Sequence, residues 1–237
     1  MPAPELIAHR GWPHRHPENT LPGIEAALRA GARYVEVDVQ LSADGVPVLF
    51  HDASLMRLCG APGAVADHTL AALAARRFLN ARDEVEIPTL SALASMLEDW
   101  PDVIPFIEIK PETLAVFGIE AVYWRVEHDL ASLAGRAVLI SFDTAFLLAA
   151  RRHGWPVLGA VVELWAERAH PLLPEIAPEY LFTDVDHLPA TGPLAWCGAR
   201  LAVYEVSDPA LALELARRGV DLVETFAIGE MLAQCHA

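Results

Sequence analysis

Two histidines, three carboxylates, an arginine and a lysine sit in or beside four short apolar runs of this chain. His9-Arg10-Gly11 closes Leu6-Ile7-Ala8. Glu36 and Asp38 alternate with Val35, Val37 and Val39. His51-Asp52 closes Val46-Pro47-Val48-Leu49-Phe50, and Glu108 and Lys110 alternate with Phe106, Ile107 and Ile109. In a strand, residues two apart share a face. Charges are costly to bury unless paired, so apolar strands rarely carry so many. Convergence on a metal ion and an anionic substrate explains them economically. Glu36, Asp38 and Glu108 offer hard oxygen ligands for a divalent cation such as Mg²⁺ or Ca²⁺. Arg10 supplies a planar fork and Lys110 a point charge for phosphate oxygens. Structural pairing with neighbouring carboxylates is the alternative for both. His9 and His51 suit a general acid/base pair, because imidazole titrates near working pH.

The elements that must position these residues follow from an alternation of patterns. Strand candidates are Leu6–Arg10, Tyr34–Gln40, Pro105–Lys110, Ala137–Phe142, Val157–Glu163, Tyr180–Val185, Leu201–Val206 and Asp221–Phe226. Between them lie helix-like segments, among them Thr20–Ala30, Leu90–Glu98, Val116–Leu133, Thr144–His153 and Pro209–Arg218. Alternating strands and helices predict a parallel sheet. Eight strands in one α/β chain of 237 residues predict a closed (β/α)8 TIM barrel, read as a single domain over residues 1–237. A doubly wound open sheet is the competing architecture. It usually carries a Gly-rich phosphate turn after the first strand, and His9-Arg10-Gly11-Trp12-Pro13 is not one.

One segment departs from the alternation. Asp44-Gly45 between two alternating runs predicts a β-hairpin excursion after the second strand. With Asp44 and Gly45 as the two turn residues, Asp38 lies directly opposite His51, and Glu36 is the diagonal neighbour. Active sites of such barrels lie at the C-terminal ends of the strands, where His9, Arg10, Asp38 and Lys110 fall. Thr20 reads as a helix N-cap, with Glu18 and Asn19 as part of the same helix start. The remaining histidines read as surface residues, although His14-Arg15-His16 can lend positive potential to the barrel mouth. Trp12, Trp155, Trp165 and Trp196 read as packing residues in or beside loops.

Composition narrows the function. The chain is 54% hydrophobic with a formal net charge of −15. That balance argues against nucleic-acid partners, which select a basic surface, and against electrostatic docking on anionic membranes. Three cysteines far apart, Cys59, Cys197 and Cys235, fit reduced thiols. Neither a signal-peptide pattern nor an apolar stretch of ~18 residues is present, and a cytoplasmic location without stable membrane insertion is expected.

The same residues carry a family resemblance. His9-Arg10-Gly11 followed by Pro17-Glu18-Asn19-Thr20 resembles the opening signature of the glycerophosphodiester phosphodiesterases. Glu36-Val37-Asp38, Val48-Leu49-Phe50-His51-Asp52 and Glu108-Ile109-Lys110 continue it in order. Weaker echoes follow at Ile87-Pro88-Thr89-Leu90, Ser141-Phe142-Asp143 and Gly219-Val220-Asp221. The resemblance implies a (β/α)8 barrel related to phosphatidylinositol-type phospholipases C. It also implies metal-dependent hydrolysis of a glycerophosphodiester to an alcohol and sn-glycerol 3-phosphate, with Mg²⁺ or Ca²⁺, or Mn²⁺, as cofactor. On the matching positions it gives the metal to Glu36, Asp38 and Glu108, acid/base roles to His9 and His51, and phosphate to Arg10 and Lys110.

The chain departs from the pattern twice. Where many members carry Trp-Thr-Val-Asn it reads Tyr204-Glu205-Val206-Ser207. Where the last strand often ends in Thr-Asp it reads Glu224-Thr225-Phe226. Tyr204 and Glu205 are therefore the candidates for a divergent substrate pocket. Two other functions fit the same residues: a lysophospholipase D-like phosphodiesterase, which needs an apolar groove at the mouth, and a phosphate-ligand-binding barrel without turnover.

Overall fold

Among the described residues, nine strands build one sheet: β1 (Glu5–His9), β2 (Tyr34–Leu41), β3 (Pro47–Leu49), β4 (Ile104–Ile109), β5 (Val138–Ser141), β6 (Leu158–Val162), β7 (Tyr180–Asp184), β8 (Arg200–Tyr204) and β9 (Leu222–Thr225). The structure, a computed structural model, describes residues 3–79, 81, 85–194, 196 and 198–235. Cys197 and His236 lie outside the described residues. Eight strands pair in parallel in the order β1-β9-β8-β7-β6-β5-β4-β2, and β1 closes on β2. The predicted barrel is therefore the observed one, and each predicted strand matches an observed strand to within one or two residues at its ends.

Inward and outward positions alternate along every barrel strand. Val35, Val37 and Val39 of β2 face outward into a large core shared with the helices, as do Ile107 and Ile109 of β4. Ile7, Tyr34, Phe106, Ile140, Phe182 and Leu222 fill the barrel interior. Toward the C-terminal ends the inward set changes from apolar to charged: Ile7 gives way to His9, Tyr34 to Glu36 and Asp38, Phe106 to Glu108, and Leu222 to Glu224. A dry lower interior thus supports a polar upper one.

The covering helices include α1 (Leu21–Arg29), α2 (Met56–Cys59), α3 (Leu70–Ala74), α4 (Leu90–Leu97), α5 (Pro111–Phe117), α6 (Ile119–Asp129), α7 (Thr144–Arg152), α8 (Leu173–Ile176), α9 (Pro209–Arg217) and α10 (Ile228–Cys235). Thr20 caps α1 as predicted, its hydroxyl accepting from Gly23 N–H at 3.3 Å. Two of the three weaker family echoes act at helix starts. Thr89 Oγ1 accepts from Ala92 N–H at 3.1 Å, and Asp143 Oδ1 from Phe146 N–H at 2.8 Å. The segment predicted as one helix over Val116–Leu133 is not continuous. Gly118, at φ +78°, ends α5 and starts α6, a conformation that glycine adopts without a Cβ clash.

The hairpin is present, but its register differs from the expected one. β3 pairs antiparallel with the upper end of β2, with Val39 opposite Leu49, Gln40 opposite Val48 and Leu41 opposite Pro47. Asp38 therefore faces Phe50 across the ladder, and Phe50 N–H donates to Asp38 O at 3.0 Å. The cause is the loop. Ala43, Asp44 and Gly45 form a three-residue connection, closed by Ser42 N–H to Val46 O at 3.0 Å. Gly45 takes φ +75° at the position where such a loop requires a left-handed residue. One extra loop residue shifts every pair, so His51 passes beyond the ladder instead of opposing Asp38. The excursion after β3 has its own small core of Val48, Phe50, Leu55, Leu58, Val65, Leu73, Phe78 and Ile87.

Candidate active site

At the end of β1 the backbone turns sharply. Arg10 has φ +54° and Gly11 +87°. The turn directs both the amide and the side chain of Arg10 at the carboxylates of β2. Its N–H donates to Glu36 Oε2 at 3.2 Å, and Nε lies 3.1 Å from Asp38 Oδ2. Its Nη1 also donates to Glu18 Oε1 at 3.2 Å. Asp38 is the hub of the site. Lys110 Nζ donates to its Oδ1 at 3.1 Å and to Glu108 Oε1 at 2.7 Å. Asn19 Nδ2 donates to Asp38 Oδ2 at 2.8 Å, while Asn19 Oδ1 accepts from Asp38 N–H at 3.1 Å.

Glu36, Asp38 and Glu108 present ligand oxygens within 4.8 Å of one another. The structure thus brings together the three carboxylates that the sequence paired. Arg10 and Lys110 are there with them, bound to the same carboxylates. Burial opposes ionisation of Asp38, but Arg10 and Lys110 outweigh it and hold the carboxyl well below its ordinary range. Burial raises Glu108 to about 7 against the pull of Lys110. Burial, then Asp38 and Glu224, push Glu36 well above its ordinary value. Four inward carboxylates, Glu36, Asp38, Glu108 and Glu224, face two fixed cations. Glu36 Oε1 has no hydrogen-bond partner. A hard divalent cation fits that surplus of buried oxygen and negative charge.

His9 is buried beside this group. Nε2 lies 3.6 Å from Glu36 Oε2, and Nδ1 lies 3.8 Å from Glu205 Oε1. Its ring stacks on Phe226 at 4.4 Å between centroids and 10° between planes. Burial and the neighbouring Arg10 lower the pKa of His9 well below its ordinary value, so the ring is neutral at pH 7. His51 stands at the rim, its side chain one-third exposed. Its Nδ1 is 2.7 Å from Asp52 Oδ1. Gln40 Nε2 donates to its backbone carbonyl at 3.1 Å. His51 thus reaches the mouth through the bend after β3 and not through strand pairing.

Asp52 in turn takes a two-pronged bond from Arg57, both arms at 2.7 Å, and Arg57 also donates to both oxygens of Glu18. Arg57 first, then His51, holds Asp52 down to about 2. A depressed carboxylate contributes stability above its unfolded value of 3.8 and loses it as pH falls through the folded value. Thermal melts of wild type and Asp52→Asn are therefore expected to differ at pH 5 and to converge near pH 2. A gap that persists unchanged at pH 2 would disprove the assignment.

The sequence analysis gives no site role to four residues that the structure places there, Asn19, Glu18, Glu224 and Phe226. Asn19, read as part of a helix start, is buried at φ +56° and clamps Asp38. Glu224 sits 4.0 Å from His9 Nε2. Its signal was available, as the lone charge in Leu222-Val223-Glu224-Thr225. Phe226 supports His9 and lies under the Arg10 guanidinium at 5.4 Å. Glu18 was likewise read as a helix-start residue, and it binds Arg10 and Arg57 instead. Of the pocket candidates, Glu205 reaches His9, whereas Tyr204 donates its hydroxyl to Val162 O at 3.2 Å. The expected positive contribution of the His14-Arg15-His16 loop is reduced, because Arg15 pairs with Glu230 at 3.1 Å.

A parallel (β/α)8 barrel thus carries carboxylates, fixed cations and a buried histidine at its C-terminal mouth, a set suited to phosphoryl chemistry with a divalent ion. The glycerophosphoryl diester phosphodiesterase family model matches residues 9–225. The chain belongs to that family of enzymes. It is 31% identical over 190 residues to the glycerophosphodiester phosphodiesterase of Bacillus altitudinis, covering 78% of this chain and 69% of the relative. It is also 31% identical over 164 residues to glycerophosphodiester phosphodiesterase 1 of Bos taurus, of which the match spans only 48%. Among solved structures, it resembles a phosphodiesterase of Oleispira antarctica in complex with the product sn-glycerol 3-phosphate. The TM-score there is 0.83 at 25% identity, over 99% of this chain and 98% of that one. The glycerophosphodiester phosphodiesterase of Thermotoga maritima gives a TM-score of 0.74 at 25% identity, over 97% of each chain.

Proposed function

We propose that this protein hydrolyses glycerophosphodiesters to an alcohol and sn-glycerol 3-phosphate with the help of a divalent cation. The convergence of three buried carboxylates on Arg10, Lys110 and His9 carries this reading. Glu36, Asp38 and Glu108 would hold the cation, Mg²⁺, Ca²⁺ or Mn²⁺, which supplies Lewis-acid polarisation of a phosphoryl oxygen when bound. Arg10 and Lys110, fixed by their carboxylate partners, orient the phosphate and stabilise charge that develops on its oxygens. His9, neutral by burial, accepts the proton of the glycerol 2-hydroxyl, whose oxygen attacks phosphorus. His51, with Nδ1 held by Asp52, gives a proton to the departing alcohol oxygen. Water then opens the cyclic phosphate with the two roles reversed.

The substrates proposed are deacylated head groups such as glycerophosphocholine and glycerophosphoethanolamine. A lysophospholipid reading draws support from Phe142 and Leu164, both exposed just beyond the ends of β5 and β6 at the mouth. No helix among the described residues is long and apolar enough to cross a membrane. The free thiols of Cys59 and Cys235 support placing the enzyme in a reducing compartment such as the cytoplasm.

The test is release of sn-glycerol 3-phosphate from glycerophosphocholine, with EDTA and then with each cation restored. Cation-dependent release is expected. No release with any cation, from folded protein, would overturn the proposal. A lysophospholipid run alongside separates the two substrate readings.

A further inference from the structure

A second group of ligand-type atoms lies beside the first and shares Glu36 with it. His9 Nε2 is 3.6 Å from Glu36 Oε2 and 4.0 Å from Glu224 Oε2. Ligand atoms of the three residues all lie within 4.8 Å of one another. These His9 separations exceed hydrogen-bonding range. They approach the ~3.4 Å edge of a tetrahedron around an ion with bonds of about 2.0–2.1 Å, within a few tenths of an ångström of side-chain movement.

The three residues are 5%, 1% and 3% exposed, in the order His9, Glu36, Glu224. Glu36 Oε1, Glu224 Oε1 and His9 Nδ1 all lack hydrogen-bond partners. The contrast with the first group is informative. Both oxygens of Asp38 are engaged, by Lys110, Asn19 and Arg10, and Glu108 Oε1 is engaged by Lys110. Glu36 Oε2 accepts from Arg10 N–H at 3.2 Å, but the second oxygens, Glu36 Oε1 and Glu224 Oε1, are buried and unmet. Glu224 also stands in the stretch where this chain departs from the family pattern.

We propose that His9, Glu36 and Glu224 form a second cation site, selective for a borderline transition ion such as Zn²⁺, whose occupation inhibits the enzyme. An imidazole nitrogen with carboxylates suits Zn²⁺, whereas the all-oxygen group of Glu36, Asp38 and Glu108 suits a hard ion. Glu36 bridges the two sites. A cation on Nε2 takes the lone pair with which His9 accepts a proton. The inhibitory part of the inference therefore rests on the proposed acid/base role of His9.

The experiment is a ZnCl2 titration of the whole protein saturated with Mg²⁺. Bound Zn²⁺ and retained Mg²⁺ are read by equilibrium dialysis, and turnover is measured separately. One Zn²⁺ per chain with Mg²⁺ retained is expected, with turnover lowered more than about tenfold. Glu224→Gln, of the same shape, is expected to bind Zn²⁺ at least about tenfold more weakly. Its ratio of activity with and without Zn²⁺ should move toward one. Displacement of Mg²⁺ one for one, or equal Zn²⁺ binding by wild type and variant, would overturn the site.

Should the variant not fold, Co²⁺ in the wild type decides. Intense visible bands of four-coordinate Co²⁺ support the site, and only weak six-coordinate bands overturn it. The binding readouts need no turnover. A protein that binds Zn²⁺ here yet cleaves no glycerophosphodiester refutes the proposed function and the inhibition, and leaves the site standing.

Discussion

Replacing His9 by alanine is expected to lower kcat by about 10²-fold or more at saturating substrate. The ring is buried and neutral, stacked on Phe226 and aimed between the carboxylates of Glu36 and Glu224. Alanine removes the proposed proton acceptor and leaves Arg10 and Lys110, the cations proposed to bind phosphate, in place. The loss should therefore appear in kcat more than in KM. His51→Ala is expected to lose a similar factor. The double variant should lose much less than the product of the two, because residues that act in one step are not additive. The measurement is the initial rate of sn-glycerol 3-phosphate release, with folding checked by circular dichroism. Near-normal turnover in His9→Ala would remove His9 from the mechanism.

Lys110→Met is expected to show the largest loss of stability. Lys110 is the shared partner of Asp38, at 3.1 Å, and Glu108, at 2.7 Å, and all three are buried. Removing one partner of a buried ionic group leaves charge uncompensated, at about 3–5 kcal/mol. The sign of the pH dependence follows from Glu108. Its folded pKa, about 7, already lies above the ordinary 4.5. A raised carboxylate costs stability as pH climbs from the unfolded value to the folded one. Without Lys110 the folded value rises further, so the penalty keeps growing above pH 7. Urea unfolding of wild type and variant in EDTA at pH 5 and pH 8 checks this. A markedly larger gap at pH 8 is expected, and an equal gap at both would refute the coupling between Lys110 and Glu108. Restored divalent cation should narrow the gap, because a bound ion supplies the missing positive charge.

Much of the site was legible because its signal is one-dimensional. Glu36 and Asp38 interrupt a valine strand at a period of two, and Glu108 interrupts an isoleucine strand. An inward charge in such a run needs a partner, wherever that partner lies in the chain. The eight barrel strands were legible for the same reason, since alternating strand and helix patterns leave few architectures. Residues outside regular strands were read less well. Asn19 lies in a turn, and its short polar side chain suits a cap as readily as a clamp on Asp38. Glu18 and Arg57 were isolated charges until the fold joined them to Asp52 and Arg10.

The sequence by itself thus determined the strand identities, the inward charges and the kind of chemistry they serve. Those follow from backbone periodicity and from the cost of burying charge. The tertiary structure decided the hairpin register, where a single left-handed glycine in a three-residue loop carried His51 past Asp38. It also decided which carboxylates surround His9. Closure of β1 against β9 brings Glu224 and Phe226 to a histidine more than two hundred residues earlier in the chain, and the end of β8 adds Glu205. Contacts of that kind depend on which strands become neighbours when the barrel closes, and no local pattern encodes them.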